Sequence, residues 1–267
     1  MLYPTMKAKS IIKNLFPDFV LRIYLNYRRK KELKEYSGSN VECPICKSKF
    51  KVFADFGKEK RKNARCINCG SLERTRLLWK YFADNTELLN SNSKIKLLHF
   101  APEKPFFNEF TKLKNIEYTP CDLFPNKYNH YKSNTKITKA DITDIPFDDN
   151  TFDVVLCNHV LEHISDDRLA MAELFRVMQN GGWGIFQVPI DYKREITYED
   201  PSIISEAERE KAFGQFDHVR LYGLDYKNRL EESGFKVIAD NFIEHYSDEE
   251  LYKFGFVKPE LIYFCEK

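Results

Sequence analysis

A chain of 267 residues with 43% hydrophobic and 31% charged side chains is long enough for one large core plus a small appended module. A formal net charge of +2 and a pI near 8.0 exclude a strongly phosphate-seeking surface overall, while leaving room for a local basic patch. No apolar run reaches the roughly 18 residues of a spanning helix, and Lys13, Asp18 and Arg22 break the N-terminal apolar runs that a signal peptide would keep, so a cytoplasmic protein is expected.

Residues 1–40 open with a helical pattern over 7–36, where Ile11, Ile12, Leu15, Phe16, Phe19, Val20, Ile23 and Tyr24 recur at intervals of three and four. Pro17 is expected to kink or divide it. The charged stretch YRRKKELKEY then runs into an SGSN linker. One reading docks this helix on its own protein or on a second subunit, as in a homodimer. The other lays a basic amphipathic face on a membrane surface or on nucleic acid.

Residues 41–76 carry two CxxC pairs, Cys43 with Cys46 and Cys66 with Cys69, separated by nineteen residues and followed by Gly70. That is the spacing of two knuckles closing one tetrahedral Zn2+ sphere, a zinc ribbon. Four thiolates leave no open coordination position, so the zinc is expected to be structural. The competing reading, two redox dithiols, lacks the strand-to-helix setting of a thioredoxin-type site. What the ribbon touches is open. The stretch KFKVFADFGKEKRKNARC between the knuckles suits either a binding finger or a solvated hairpin. Cys121, Cys157 and Cys265 fall on separate strand patterns, as small buried side chains do.

From 77 to 267 the pattern is α/β. A helix over about 71–89 precedes strand patterns at 95–100, 116–123, 136–142, 152–159, 182–190, 235–241 and 260–266. Helical signals fill 104–114, 166–179 and 224–233, and Asn180-Gly181-Gly182 reads as a helix-stop turn. Such alternation predicts a doubly wound, Rossmann-like, mostly parallel sheet. The last two strand patterns have little helix between them and suit an antiparallel edge pair.

In a sheet of this kind ligands bind outside the C-terminal strand ends, and here those ends carry chemistry in order. The first ends in His99-Phe100-Ala101-Pro102-Glu103, a loop without glycine. Asp122, with Leu123 beside it, ends the second and can accept both ribose hydroxyls of a nucleoside. Asp141 ends the third and can accept an adenine amine, with Ile142 placed to pack or to donate its N–H. Asn158 and His159 end the fourth, where the methionine part of a cofactor would lie. The plainer reading of Asp122 and Asp141 is that each caps a helix or turn.

The stretch ADITDIPFDDNTFDVVLCNHVLEHISDDRLAMAELFRVMQNGGWGIFQVPI, dense from Asp141 to Ile190, resembles the third-to-fifth-strand core of the class I S-adenosylmethionine-dependent methyltransferases. The likeness is to the broad type 11-like group, on its D-x-x-x-[IL]-P-F-x-[DN]-x-[FS]-F-D and V-L-E-H-[IV] strings, and it continues more loosely over 94–267. The resemblance implies a seven-stranded sheet with its last strand antiparallel and S-adenosyl-L-methionine as cofactor. It also implies cofactor contacts at His99, Phe100, Ala101, Glu103, Asp122, Leu123, Asp141, Ile142, Asn158 and His159. The family's first motif has an acidic residue and a glycine-rich loop. Here Ala101 keeps the loop slim, and Glu103 offers a carboxylate to the cofactor's ammonium group.

Residues 191–226 form an insertion long enough to be a substrate loop or lid. Its tail gathers Asp217, His218, Arg220 and Tyr222. His218, oriented by Asp217, could take a proton from a hydroxyl or amine acceptor while Arg220 and Tyr222 hold the substrate; equally, the tail is a surface loop closed by an internal ion pair. His159 is a further catalytic candidate and His163 a substrate-contacting one, against the plainer reading of Glu162 and His163 as a helix start. Near-neutral charge favours a small-molecule or glycan acceptor. An RNA or protein methyltransferase that holds its substrate with the ribbon, and a non-catalytic binding protein on the same fold, are the alternatives.

Overall fold

In the computed structural model, which describes residues 18–57, 59–131 and 133–267, the chain divides into two units. The first takes the described residues up to Arg76 together with Asp248–Phe256; the second is Leu77–Ser247 with Val257–Lys267. The helical expectation at 7–17, with Ile11, Ile12, Leu15, Phe16 and Pro17, lies outside the described residues.

The first unit begins with helix α1 (Asp18–Glu35), whose Ile23, Tyr24 and Tyr27 are exposed. Two small antiparallel hairpins follow, β1 (Val41–Glu42) with β2 (Lys49–Phe50) and β3 (Ala54–Phe56) with β4 (Arg61–Arg65). Helix α2 (Glu73–Asn85) begins in this unit and continues past Arg76. The Arg76 guanidinium is fully buried, a costly placement unless every donor finds an acceptor. It donates to the carbonyls of Ala64 at 2.8 Å, Ser71 at 2.9 Å, Phe254 at 2.6 Å and Gly255 at 2.8 Å. Its flat face lies 4.0 Å from the centre of the Phe53 ring. Gly255 has φ +62, and a Cβ there would come within 2.5 Å of an Arg76 nitrogen.

In the second unit β5 (Ile95–Phe100), α3 (Lys104–Phe110), β6 (Ile116–Asp122), β7 (Thr138–Lys139) and β8 (Phe152–Asn158) form the first half of the alternation. Helix α4 (Asp167–Val177) and β9 (Met178–Gln187) follow. The insertion contains β10 (Tyr198–Glu199), α5 (Glu206–Phe213) and β11 (Arg220–Leu221). Helix α6 (Tyr226–Glu232), β12 (Lys236–Asp240), α7 (Asp248–Phe254) and β13 (Ile262–Glu266) end the chain, with α7 belonging to the first unit. The sheet order is β12-β13-β9-β8-β5-β6-β7, and β13 runs antiparallel to both its neighbours. This is a seven-stranded, doubly wound Rossmann-like sheet with its last strand antiparallel, as the sequence reading expected. Strand β8 is buried along nearly its whole length, as a central parallel strand covered on both faces must be. Among the described residues no helix is long and apolar enough to cross a membrane.

Three sequence expectations are corrected. Strand β7 is two residues long, because Asp141 turns back into an isolated bridge with Asp144 instead of extending the strand. Asn180-Gly181-Gly182 is not a helix stop: α4 ends at Val177, and the glycines form a bulge inside β9, where pairing jumps from Phe152↔Met178 to Val154↔Trp183. The bulge needs glycine, since Gly181 has φ +78 and a Cβ on Gly182 would meet the Asp153 carbonyl at 2.8 Å. Between β12 and β13 lie a short 3-10 turn, Phe242–His245, and the whole of α7.

Candidate active site and thiolate cluster

In the first unit the two knuckles are built alike. The N–H of Lys47 bonds the Cys43 carbonyl and the N–H of Gly70 bonds the Cys66 carbonyl, both at 2.9 Å. Lys47 (φ 58) and Gly70 (φ 81) take the left-handed turn this requires. All four sulfurs lie within 4.8 Å of one another, with Cys43 to Cys69 at 3.6 Å and Cys46 to Cys66 at 3.7 Å. A tetrahedral ion with metal–sulfur bonds of about 2.3 Å needs sulfurs about 3.8 Å apart, so the cluster matches a four-thiolate sphere.

In the second unit the loop after β5 is governed by Ala101, whose φ of 48 places an alanine in the left-handed region and whose N–H bonds the Cys121 carbonyl at 2.9 Å. The turn sends Glu103 back beneath His99. His99 is fully buried, with Nε2 2.8 Å from a Glu103 oxygen and Nδ1 2.9 Å from the Tyr118 hydroxyl. The two ring nitrogens thus tie together the Glu103 carboxylate and the Tyr118 hydroxyl. The His99 side chain is therefore a positioning group, enclosed by its own protein. Burial pushes the Glu103 carboxyl up, but the hydrogen bond and charge of His99 outweigh it and hold the group below the usual carboxylate range. Its side chain keeps 24% exposure, so an ionised carboxylate remains within reach of a ligand.

Asn158, at the end of β8, is 3% exposed and donates from Nδ2 to Glu103 at 3.3 Å. Its Oδ1 is buried without a hydrogen-bond partner among the described residues. An orphaned buried acceptor costs free energy and calls for a donor. Two strands over, at the end of β6, Asp122 accepts from the Phe124 N–H at 2.6 Å and from the Tyr128 hydroxyl at 2.7 Å, one bond to each oxygen. A carboxylate has about four lone-pair positions, so half remain open. Leu123 is 39% exposed beside it. Asp141 receives both the N–H and the hydroxyl of Thr143 on a single oxygen, which lowers its pKa, and Ile142 is buried behind it. Both aspartates thus cap their own turns and still face outward. Phe100 is 2% exposed and belongs to the core.

The four strand ends set an ionised carboxylate beside an unsatisfied carbonyl and carry two further carboxylates next to apolar surface. An amino-acid-bearing nucleoside, with its ammonium, hydroxyl and amine donors, fits that set of acceptors. Residues 106–186 match the family model described as a methyltransferase domain. The matched segment runs from within α3 to Phe186, one residue before the end of β9. An uncharacterized protein of Methanocaldococcus jannaschii is 34% identical over 124 residues, 46% of this chain and 47% of that one. The demethylmenaquinone methyltransferase of Staphylococcus carnosus is 40% identical over 53 residues, 20% of this chain and 22% of that enzyme. The chain spans less than half the length of the curated relatives it matches. Among solved structures, an S-adenosylmethionine dependent methyltransferase from Mesorhizobium loti is similar at 12% identity, covering 72% of this chain and 98% of that one with a TM-score of 0.47.

Beyond the methyltransferase-domain segment, the insertion corrects two expectations. Arg220 is 3% exposed and fully engaged, donating to the carbonyls of Leu161, Ile164 and Ser165 and to Glu199 at 2.9 Å. Tyr222 is 1% exposed and donates to Asp167 at 2.7 Å. Both side chains are enclosed by the protein and committed to internal partners. Asp217 orients His163 rather than His218: its carbonyl lies 3.1 Å and its carboxylate 3.5 Å from His163 Nδ1. His218 is 3% exposed, and burial holds its pKa below the usual imidazole value. His159 follows β8 in a left-handed turn (φ 55), with Nδ1 3.3 Å from Glu162. Sequence reasoning missed Tyr118 and Tyr128, which fix His99 and Asp122. The only signal for Tyr128 is its place six residues after Asp122 in a short 3-10 turn.

Proposed function

We propose that the chain is an S-adenosylmethionine-dependent methyltransferase acting on an oxygen or nitrogen of a small molecule or glycan intermediate. The observation that carries this reading is the Glu103–Asn158 pair, an ionised carboxylate beside a buried carbonyl oxygen with no partner. A cofactor ammonium group is the donor both acceptors suit. Asp122 would take the ribose hydroxyls on its remaining lone pairs. Leu123 and Ile142 would flank the adenine, whose amine Asp141 would accept. The bound cofactor supplies a methyl group already activated on a sulfonium sulfur, so the protein's own task is to align acceptor and methyl and to exclude water. We infer likewise that Cys43, Cys46, Cys66 and Cys69 hold a structural Zn2+, on the strength of their spacing and donor type.

Calorimetry with S-adenosylhomocysteine tests the cofactor reading. One molecule is expected to bind per chain, and Asp122→Ala and Glu103→Ala are each expected to weaken it by at least about tenfold, roughly 1.4 kcal/mol. A chain that binds none, or whose binding ignores both substitutions, would end the proposal.

A further inference from the structure

A second polar cluster lies just beyond β8. One ligand atom from each of Glu162, His163 and His218 lies within 4.8 Å of the others. Glu162 is 1% exposed and His218 3%. Both present a buried atom with no hydrogen-bond partner among the described residues, Glu162 Oε2 and His218 Nε2. A direct bond between a carboxylate and an imidazole would have satisfied both, and it is not made.

The far side of each ring is already committed. His163 Nδ1 bonds the Asp217 carbonyl at 3.1 Å, leaving Nε2 toward Glu162 at 4.0 Å. His218 hydrogen-bonds the backbone of Phe213, leaving Nε2 unpartnered. His159 braces the carboxylate from outside, 3.3 Å from Glu162 Oε1. One nitrogen on a backbone carbonyl and the other turned inward is how protein frameworks set imidazoles around a cation. With bonds of about 2.0–2.2 Å, ligand atoms around such an ion stand about 3–4 Å apart, a spacing these side chains reach by small rotations.

We propose that Glu162, His163 and His218 hold a first-row divalent cation whose open positions receive a hydroxyl oxygen of the methyl acceptor. A carboxylate with two imidazoles leaves such positions open, unlike the four-thiolate sphere. The inference rests on the methyltransferase reading and narrows it to an oxygen acceptor. The coordinated hydroxyl loses its proton to water. Its oxygen lone pair then forms the new C–O bond as the sulfonium C–S bond breaks and that pair returns to sulfur.

The test titrates the full chain, loaded with no more than one Zn2+ per chain for the thiolates, with Mn2+, following the free-ion electron paramagnetic resonance signal, and separately with Co2+ by absorption. One added ion per chain is expected, because hard Mn2+ avoids the thiolates. Glu162→Gln and His218→Gln are each expected to weaken binding by at least about tenfold. His163→Ala, at a more exposed ring, should do so with the thermal midpoint unchanged. Stoichiometric binding of neither ion, or equal binding in all three variants, overturns the site. Calorimetry with S-adenosylhomocysteine on the same samples separates the two proposals. S-adenosylhomocysteine bound without either ion retires the cation site alone, whereas the ion bound without S-adenosylhomocysteine retires the acceptor role.

Discussion

Ala101 holds a backbone angle that an alanine adopts at a cost of about 1–2 kcal/mol, because its Cβ crowds the following carbonyl. The cost is borne where β5 must turn sharply enough to bring Glu103 under His99. Ala101→Gly removes the crowding but adds about 0.4–1 kcal/mol of unfolded-state entropy, so chemical denaturation should show between zero and about 1.6 kcal/mol of added stability. Ala101→Val, with a branched side chain at the same angle, should lower stability by about 1–3 kcal/mol and weaken S-adenosylhomocysteine binding. A valine variant as stable as the parent would mean the loop does not need this turn. Two of the strand ends were legible in the sequence: Asp122 closes β6 and Asn158 closes β8, whereas Asp141 lies two residues past the end of β7. The left-handed turn was not, since alanine carries no signal for it. Nor was the burial of His99, which depends on Tyr118 from the neighbouring strand.

At the scale of elements, the insertion is held by charge. Antiparallel pairing of β10 with β11 sets Glu199 opposite Arg220, and Asp167 at the start of α4 faces both Arg220 (3.6 Å) and Arg229 (3.3 Å). With Asp167 3% exposed, removing a partner leaves a buried carboxylate under-compensated. Arg220→Ala should therefore cost about 3 kcal/mol or more in denaturation experiments, with acceptor affinity falling only as far as the fold loosens. A variant of normal stability that lost acceptor binding alone would return Arg220 to the substrate. The tail Asp217–Tyr222 stands out in the sequence as a cluster of polar groups. Which of them turn inward is decided by the two-residue hairpin, whose register no local pattern announces.

At the scale of the whole molecule, stability is divided between a unit organised by four sulfurs and one organised by a sheet. On the proposal that the four cysteines hold a Zn2+, a strong chelator is expected to abolish hydrogen-exchange protection over 41–76, while β5, β8 and β9 keep theirs, because metal affinity in such a site is folding free energy. Full retention of protection at 41–76 after chelation would show that Arg76 and its neighbours suffice without the ion. The spacing of the cysteines made the thiolate unit readable from the sequence. The return of 248–256 to it was not, because that link runs through one buried guanidinium and a pair of carbonyls far along the chain.

That link has a consequence for how the protein is made. Phe254 leaves the ribosome 178 positions after Arg76, a delay of about 10–35 s at ordinary elongation rates. Throughout that interval both cysteine knuckles are present and able to capture metal, while Arg76 lacks two of its four carbonyl partners. The part of the chain synthesised first is thus among the last to be finished, and a nascent chain halted before residue 248 would carry every sulfur of the cluster inside an incomplete unit.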